Sequence, residues 1–213
     1  MSRHHPPEDV LMAYAAGSLP EPHSLVVATH LSLCPACRQT MTGLDALGGA
    51  MLDDLSPTLM EADSLDRLMA RLEEPAPPKA PPAPTDSVLP SPLRAYVGRG
   101  IENVAWKKLG RGIEEFRLPI PNTDGYTTRL VRVAAGRDIP SHSHDGDELT
   151  LVLAGGFTDG GENYRRGDVA GADPTVHHTP VADADGVCIC LIVTEGKLRF
   201  SGPFGPLLSY FRG

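Results

Sequence analysis

A proline-rich stretch, EEPAPPKAPPAPTDSVLPSP from Glu73 to Pro92, constrains this 213-residue chain more than any other feature. It contains eight prolines. Proline cannot donate a backbone hydrogen bond to a helix or a sheet, and it biases the preceding residue toward extended geometry. We therefore expect a semi-rigid linker over residues 75–92, which separates a first domain, residues 1–74, from a second, residues 93–213.

The residues before the linker have a helical pattern. Prolines and acids open PPEDVLMAYAAG and a glycine closes it, which is typical of a helix, and PEPHSLVVATHLSL and CPACRQTMTGLDALGG predict two more helices. In SLDRLMARL an apolar stripe recurs at i, i+3, i+4 and i+7, formed by Leu65, Leu68, Met69 and Leu72. This last helix either completes a small bundle or forms an arm that binds a groove on a partner protein.

The residues after the linker have the pattern of strands. The segments TTRLVRVAAG, DELTLVLAGG, GVCICLIV and KLRFSG are short and rich in β-branched residues, and Gly, Asp and Pro separate them. This spacing predicts an antiparallel sandwich or barrel. The expected fold class is therefore multidomain, with a small helical bundle followed by an all-β domain.

Negative charge is concentrated in the first part of the chain. Residues 1–92 carry 5 Lys and Arg against 12 Asp and Glu, and the whole chain has a net charge of -8. Nucleic acid phosphates repel such a segment, so we expect no direct nucleic acid binding, and the segment suits a basic protein partner. The N-terminus lacks the apolar region of a secretory signal and no apolar run reaches the ~20 residues that span a bilayer, so we expect a cytoplasmic protein without membrane contact.

The stretch HLSLCPAC brings three possible metal ligands together. On a helix, His30 and Cys34 are four residues apart on one face, and Cys37 follows one turn later. If Cys34 caps the next helix, the helix N-terminus favours its thiolate. Tetrahedral zinc takes a fourth ligand, which His4 or His5 can supply. We expect a structural zinc site here, in preference to a redox pair or two buried thiols.

A second group of possible ligands lies in GRDIPSHSHDGDELTLVLAG. His142 and His144 share one face of an extended chain, and Glu148, which starts the next strand, can turn toward the same interior. His177 and His178 point to opposite faces of a later strand, so only one of them can be the fourth ligand. The sequence predicts a metal site at the mouth of a barrel, with a ligand set compatible with Zn, Mn, Fe or Ni.

Cys188 and Cys190 form a C-x-C pair on one face of a strand. They can pack as small apolar side chains or present thiols for oxidation near the metal. A direct disulfide would be strained, because Cα atoms two residues apart in an extended chain are separated by ~6.6 Å. We favour core packing.

These motifs resemble known families. H-x3-C-x2-C with an upstream histidine in a short acidic helical domain resembles the zinc-binding anti-sigma (ZAS) domain, and the likeness extends to AYAAGSL and SLVVATHLSLCPAC. G-x5-H-x-H-x3-E-x6-G resembles the first cupin motif, and the second cupin motif keeps only Gly167, Asp168 and the later histidine. Together the two halves resemble the ChrR-type anti-sigma factors.

The resemblance implies two zinc ions per chain. It also implies which histidine of each adjacent pair is the ligand. It implies a first site formed by His5, His30, Cys34 and Cys37. It implies a second site, inside a cupin β-barrel of the jelly-roll type, formed by His142, His144, Glu148 and His178.

The resemblance also implies a function. It implies that the first domain binds an extracytoplasmic-function (ECF) sigma factor and buries the surfaces that engage core RNA polymerase. The cupin would then sense an oxidant, with singlet oxygen as the expected signal, and promote release by favouring a conformation with lower sigma affinity. The alternative is a metal-dependent cupin enzyme, a dioxygenase or isomerase, with a regulatory first domain. On the resemblance we expect a regulator of transcription and not an enzyme.

Overall fold

The computed structural model describes residues 2–75, 88–98, 100–120 and 125–201. Most of the expected linker lies outside the described residues. Helices come first: α1 Glu8–Ala15, α2 Glu21–Leu33, α3 Pro35–Asp53, α4 Ser64–Leu72 and α5 Ser91–Val97, with a 3-10 turn at Ile101–Asn103. Eleven strands follow: β1 Lys107–Gly110, β2 Ile113–Arg117, β3 Tyr126–Val133, β4 His142–His144, β5 Glu148–Ala154, β6 Gly156–Asp159, β7 Glu162–Arg165, β8 Val169–Ala172, β9 Val181–Ala182, β10 Cys188–Glu195 and β11 Leu198–Phe200.

This order confirms the expected fold class, a helical part followed by a β-rich cupin-like part. All the strand pairs formed by the described residues are antiparallel. Six strands form one sheet in the order β1-β2-β3-β10-β5-β8, and smaller sheets, β7-β6-β9 and β11-β4, line the other side of the barrel interior. Across the described ranges, no helix combines the length and the apolar character needed to cross a membrane.

The start of α3 has the geometry that its sequence predicts. Cys34 is the N-cap residue, its sulfur accepts a hydrogen bond from the backbone N–H of Cys37, and Pro35 opens the helix. The far end differs from the expectation, because α3 continues through Gly48 and Gly49 to Asp53. A glycine inside a helix costs only about 1 kcal/mol relative to alanine, so these two residues do not end it.

Helix α4 stands apart from the bundle. No side chain of α4 is buried in the described part of the chain. Its Arg67 pairs with Glu61 at 2.8 Å and with Asp63 at 3.5 Å, both just upstream. In the described part of the chain, α4 therefore does not complete the helical bundle.

The central strand β10 is buried on both faces. Cys188, Cys190 and Ile192 face the barrel interior, and the alternate residues of the strand pack in a second apolar cluster on the outer face. Leu25 and Val26 of α2 belong to that outer cluster. Because helices cover the outer face of the sheet, the run VCICLIV is apolar throughout instead of alternating.

The helical part and the barrel therefore share a core. Leu89 and Leu93 are fully buried in the same outer cluster as α2. Leu89 lies near the end of the proline-rich stretch and Leu93 directly follows it. Helix α5 begins at Ser91, inside the segment expected to be linker. The opposite side of α2 packs in a smaller cluster within the bundle, composed of Leu11, Val27, Cys34, Cys37 and Met41.

Candidate metal centres

The first candidate centre lies where α2 meets α3. His5, His30, Cys34 and Cys37 each present a ligand atom, and these atoms all lie within 4.8 Å of one another. The Nδ1 atom of His5 is 3.5 Å from the sulfur of Cys34 and 3.3 Å from that of Cys37. His4 is directed elsewhere, with its ring 4.4 Å from that of Tyr164. The structure thus brings His5 into the cluster and leaves His4 outside it.

The donor set suits a zinc ion. Burial, together with the hydrogen bond and the charge of Cys34, raises the pKa of the Cys37 thiol to about 11. Two adjacent thiolates are therefore unfavourable without a cation, and a divalent ion supplies the charge that stabilises them. Two thiolates and two imidazoles form one of the usual tetrahedral zinc sets.

The orientation of His30 fits the same role. Its side chain is fully buried, and Nδ1 lies 2.8 Å from the carbonyl oxygen of Gly167. A carbonyl only accepts, so Nδ1 carries the proton and Nε2 presents a lone pair. That Nε2 atom has no hydrogen-bond partner among the described residues. A buried, unpartnered lone pair directed at two thiols is what a metal ligand requires.

The second candidate centre lies inside the barrel. His142 and His144 come from β4, Glu148 begins β5, and His178 pairs with His142 in an isolated bridge. The Nε2 atom of His178 is 3.1 Å from that of His142 and 3.3 Å from that of His144, and the four ligand atoms lie within 4.8 Å of one another. His177 is exposed and takes no part in the cluster.

Contacts around the second cluster orient its ligands. His178 Nδ1 lies 2.6 Å from a carboxylate oxygen of Asp159, and His142 Nδ1 lies 2.8 Å from the carbonyl oxygen of Pro140. Both contacts engage Nδ1, so the Nε2 atom of each ring faces the centre of the cluster. Glu148 accepts a hydrogen bond of 2.9 Å from the hydroxyl of Thr194. Sequence reasoning missed Asp159, because nothing in its local pattern marks it as a partner of a histidine 19 residues away.

Burial lowers the pKa of two histidines of the second cluster, His142 and His144. Desolvation, with the neighbouring His178 and His144, lowers the pKa of His142 to about 4, against the opposing effects of its Pro140 hydrogen bond and the Glu148 charge. The ring is therefore neutral at physiological pH. Neutral imidazole is the form that binds a metal ion.

A cavity of about 510 Å³ adjoins the second cluster. Its lining includes His142, Glu148 and His178, a largely apolar wall, and both Cys188 and Cys190.

The sulfurs of Cys188 and Cys190 are 3.5 Å apart. The hydrogen bond between Cys190 and Cys188, together with burial, raises the pKa of the Cys190 thiol well above its usual value, so this thiol is protonated. A protonated thiol is a poor nucleophile, which agrees with a packing role.

The fold and the two clusters define a class of protein: a zinc-finger-like helical domain joined to a cupin with its own metal-ligand cluster. Comparisons with known proteins point the same way. A zinc-finger family model matches residues 8–38, and the model of the ChrR cupin-like domain matches residues 97–198.

Two relatives match nearly the whole chain. The chain is 43% identical over 210 residues, 98% of its length and 97% of the relative, to the anti-sigma-E factor ChrR of Cereibacter sphaeroides. It also matches a chain in the crystal structure of Rhodobacter sphaeroides SigE in complex with the anti-sigma ChrR, with a TM-score of 0.80, 42% identity, and coverage of 92% of this chain and 100% of that one. The chain therefore belongs to the ChrR family of anti-sigma factors. Membership confirms the expected family and the expectation of a regulator that is not an enzyme.

Proposed function

We propose that this protein is an anti-sigma factor, which sequesters an ECF sigma factor from core RNA polymerase and releases it in response to an oxidant. The observation that carries this proposal is the full-length similarity to ChrR, together with the likeness to a chain of the SigE–ChrR complex. In the proposed division of labour, residues 1–74 bind sigma, the proline-rich residues 75–92 connect, and residues 93–213 sense the oxidant.

The exposed apolar side chains of the helical part support a protein partner. Leu65, Leu68, Met69 and Leu72 of α4 are between 52% and 71% exposed. The end of α3 and the segment after it add further exposed apolar residues, namely Leu47, Met51, Leu52, Leu55, Leu59 and Met60. So large an apolar surface beside an excess of acidic residues fits a groove with a basic rim. We propose that the α4 stripe contacts sigma directly.

A zinc ion at the first centre would order this surface. His5, His30, Cys34 and Cys37 would hold it, and it would fix α1 against the junction of α2 and α3, where the apolar cluster is small. Small domains with thin cores commonly depend on such an ion.

The second centre would be the sensor. His142, His144, Glu148 and His178 would hold zinc, with Mn, Fe or Ni also compatible with the ligand set. The adjoining cavity gives a small oxidant or ligand room to reach the cluster. We propose that oxidation or ligation there favours a conformation with lower sigma affinity, while Cys188 and Cys190 serve mainly as core residues.

The decisive experiment combines co-purification with a measurement of metal content. The tagged protein is isolated from its own cytoplasm, co-purifying proteins are identified by mass spectrometry, and metal per chain is measured. We expect a sigma factor at one to one and two zinc ions; a preparation without any sigma factor would refute the proposal.

The assignment of roles has its own test. A variant with His142→Ala and His144→Ala should still bind the co-purified sigma factor but should not release it under photosensitised singlet oxygen. Loss of sigma binding in this variant, with the fold intact by circular dichroism, would contradict the separation of binding from sensing.

A further inference from the structure

The turn between β7 and β8 of the barrel contacts the first metal centre. It contains Gly167 and Asp168, which none of the assigned roles uses. We infer that these two residues are positioning residues for the metal ion of the helical domain, so that the barrel holds two of its four ligands in place. The inference rests on the proposed zinc site and goes beyond it.

Gly167 acts on His30. Its carbonyl oxygen accepts the Nδ1–H of that ring at 2.8 Å across 137 residues of sequence. The contact sets the tautomer that leaves Nε2 free for the metal, and outer contacts of this kind also raise ligand basicity. A side chain at position 167 would strain the backbone, because φ is +92°, and its Cβ would also displace the hydroxyl of Ser2, which would lie 2.7 Å away.

Asp168 acts on His5 through the residues before it. Its side chain is 2% exposed, and Oδ1 accepts backbone hydrogen bonds from Arg3 at 2.6 Å and His4 at 3.2 Å. The backbone N–H of Val169 donates to the carbonyl oxygen of His4 at 3.1 Å. His5 is the next residue, so its approach to the two cysteines depends on this attachment to the barrel.

The same turn is bonded to the strand that carries a ligand of the second centre. Gly167 donates to the carbonyl oxygen of Val152 at 2.8 Å, and the backbone N–H of Val152 donates to the carbonyl oxygen of Asp168 at 3.0 Å. Val152 lies in β5, which begins at Glu148. A displacement of β5 therefore moves the hydrogen-bond partners of the first centre, which gives the barrel a physical route to the helical domain.

Cobalt(II) bound to the full-length chain provides a site-specific probe. Thiolate-to-cobalt charge-transfer bands report on the first cluster alone, because the four ligands of the second cluster include no sulfur. In competition with a chelator, Asp168→Ala is expected to weaken cobalt binding at the thiolate site about 10- to 100-fold, the usual effect of losing an outer-shell contact. Asp168→Asn, which keeps one acceptor oxygen, should recover part of the loss.

Two further variants separate positioning from general stability. Asp185→Ala removes an exposed carboxylate that pairs with Arg165 at 3.2 Å, and it should leave the cobalt affinity unchanged. Arg3→Pro deletes the shorter of the two N-terminal backbone hydrogen bonds to Asp168 and leaves the residues of the barrel unchanged. It should therefore also weaken cobalt binding, and it decides the matter if Asp168→Ala fails to fold.

If Asp168→Ala folds and its cobalt affinity is unchanged, this inference is overturned while the zinc site stays in place. If Asp168→Ala does not fold, unchanged cobalt affinity in Arg3→Pro has the same consequence. Absence of charge-transfer bands in the unaltered chain overturns the proposed zinc site and the inference with it.

Discussion

The contact between Asp159 and His178 leads to a sharp prediction for the second metal centre. The two side chains meet at 2.6 Å and are only 18% and 10% exposed, so solvent screens them little. The carboxylate fixes the Nδ1–H tautomer of His178 and leaves Nε2 facing the other residues of the cluster, where a metal ion would bind. Asp159→Asn keeps the size of the side chain but removes its charge, and the amide can turn its own N–H groups toward the ring.

The size of the effect follows from the kind of bond. A hydrogen bond to a charged group contributes about 1.5 to 3 kcal/mol when buried. Loss of an outer-shell partner usually lowers metal affinity about 10- to 100-fold, which corresponds to about 1.4 to 2.8 kcal/mol, and the two estimates agree. We therefore expect Asp159→Asn to weaken metal binding at the second centre by that factor.

Manganese(II) is the appropriate probe for this centre. Imidazole and carboxylate ligands accept manganese, whereas thiolates favour softer ions, so a titration followed by electron paramagnetic resonance reports on the barrel. Asp185→Asn, the same change at an exposed position, is the matched control. Equal manganese affinity in Asp159→Asn and the unaltered chain would refute the reasoning, provided that His178→Ala does weaken binding.

Three further predictions concern the helical part and the shared core. Replacing Leu68 and Met69 with Glu should weaken sigma binding at least tenfold in a pull-down titration and leave the thermal midpoint within about a degree, because both side chains are half-exposed. Leu93→Ala should lower the free energy of unfolding in urea by about 2 to 5 kcal/mol, because this residue is fully buried beside α2. Replacing Cys188 and Cys190 with Ala should leave oxidant-triggered release of sigma intact in the same pull-down format; loss of release would show that the thiols take part in sensing.

Much of both centres could be predicted because their ligands are close in sequence. His30, Cys34 and Cys37 fall on one helical turn and its cap, and His142 and His144 share a strand face, so local geometry already groups them. Spacing alone did not decide between His4 and His5, since both precede the first helix; the structure places only His5 in the cluster. That difference comes from the barrel, which holds the backbone of His4 and contacts its ring.

The contacts that orient the ligands could not be predicted, because they join distant parts of the chain. Periodicity reports which face of an element is apolar, but not which element covers it. The double role of α2 illustrates this: Val26 packs against the barrel and Val27 in the bundle, and both are fully buried. A helix that is apolar on more than one face is buried on more than one side. In this sequence, only the run LVVA indicated that α2 is such a helix.

Because α2 packs in two apolar clusters, the helical part and the barrel are held together by packing and do not depend on the covalent link between them. A protease that cuts between residues 75 and 88 would leave Leu25 and Val26 in the same apolar cluster as Leu151 and Leu191 of the sheet. The clipped protein would persist as a non-covalent heterodimer. A barrel produced alone from residue 93 would instead present the bare outer face of its six-stranded sheet to water and tend to aggregate.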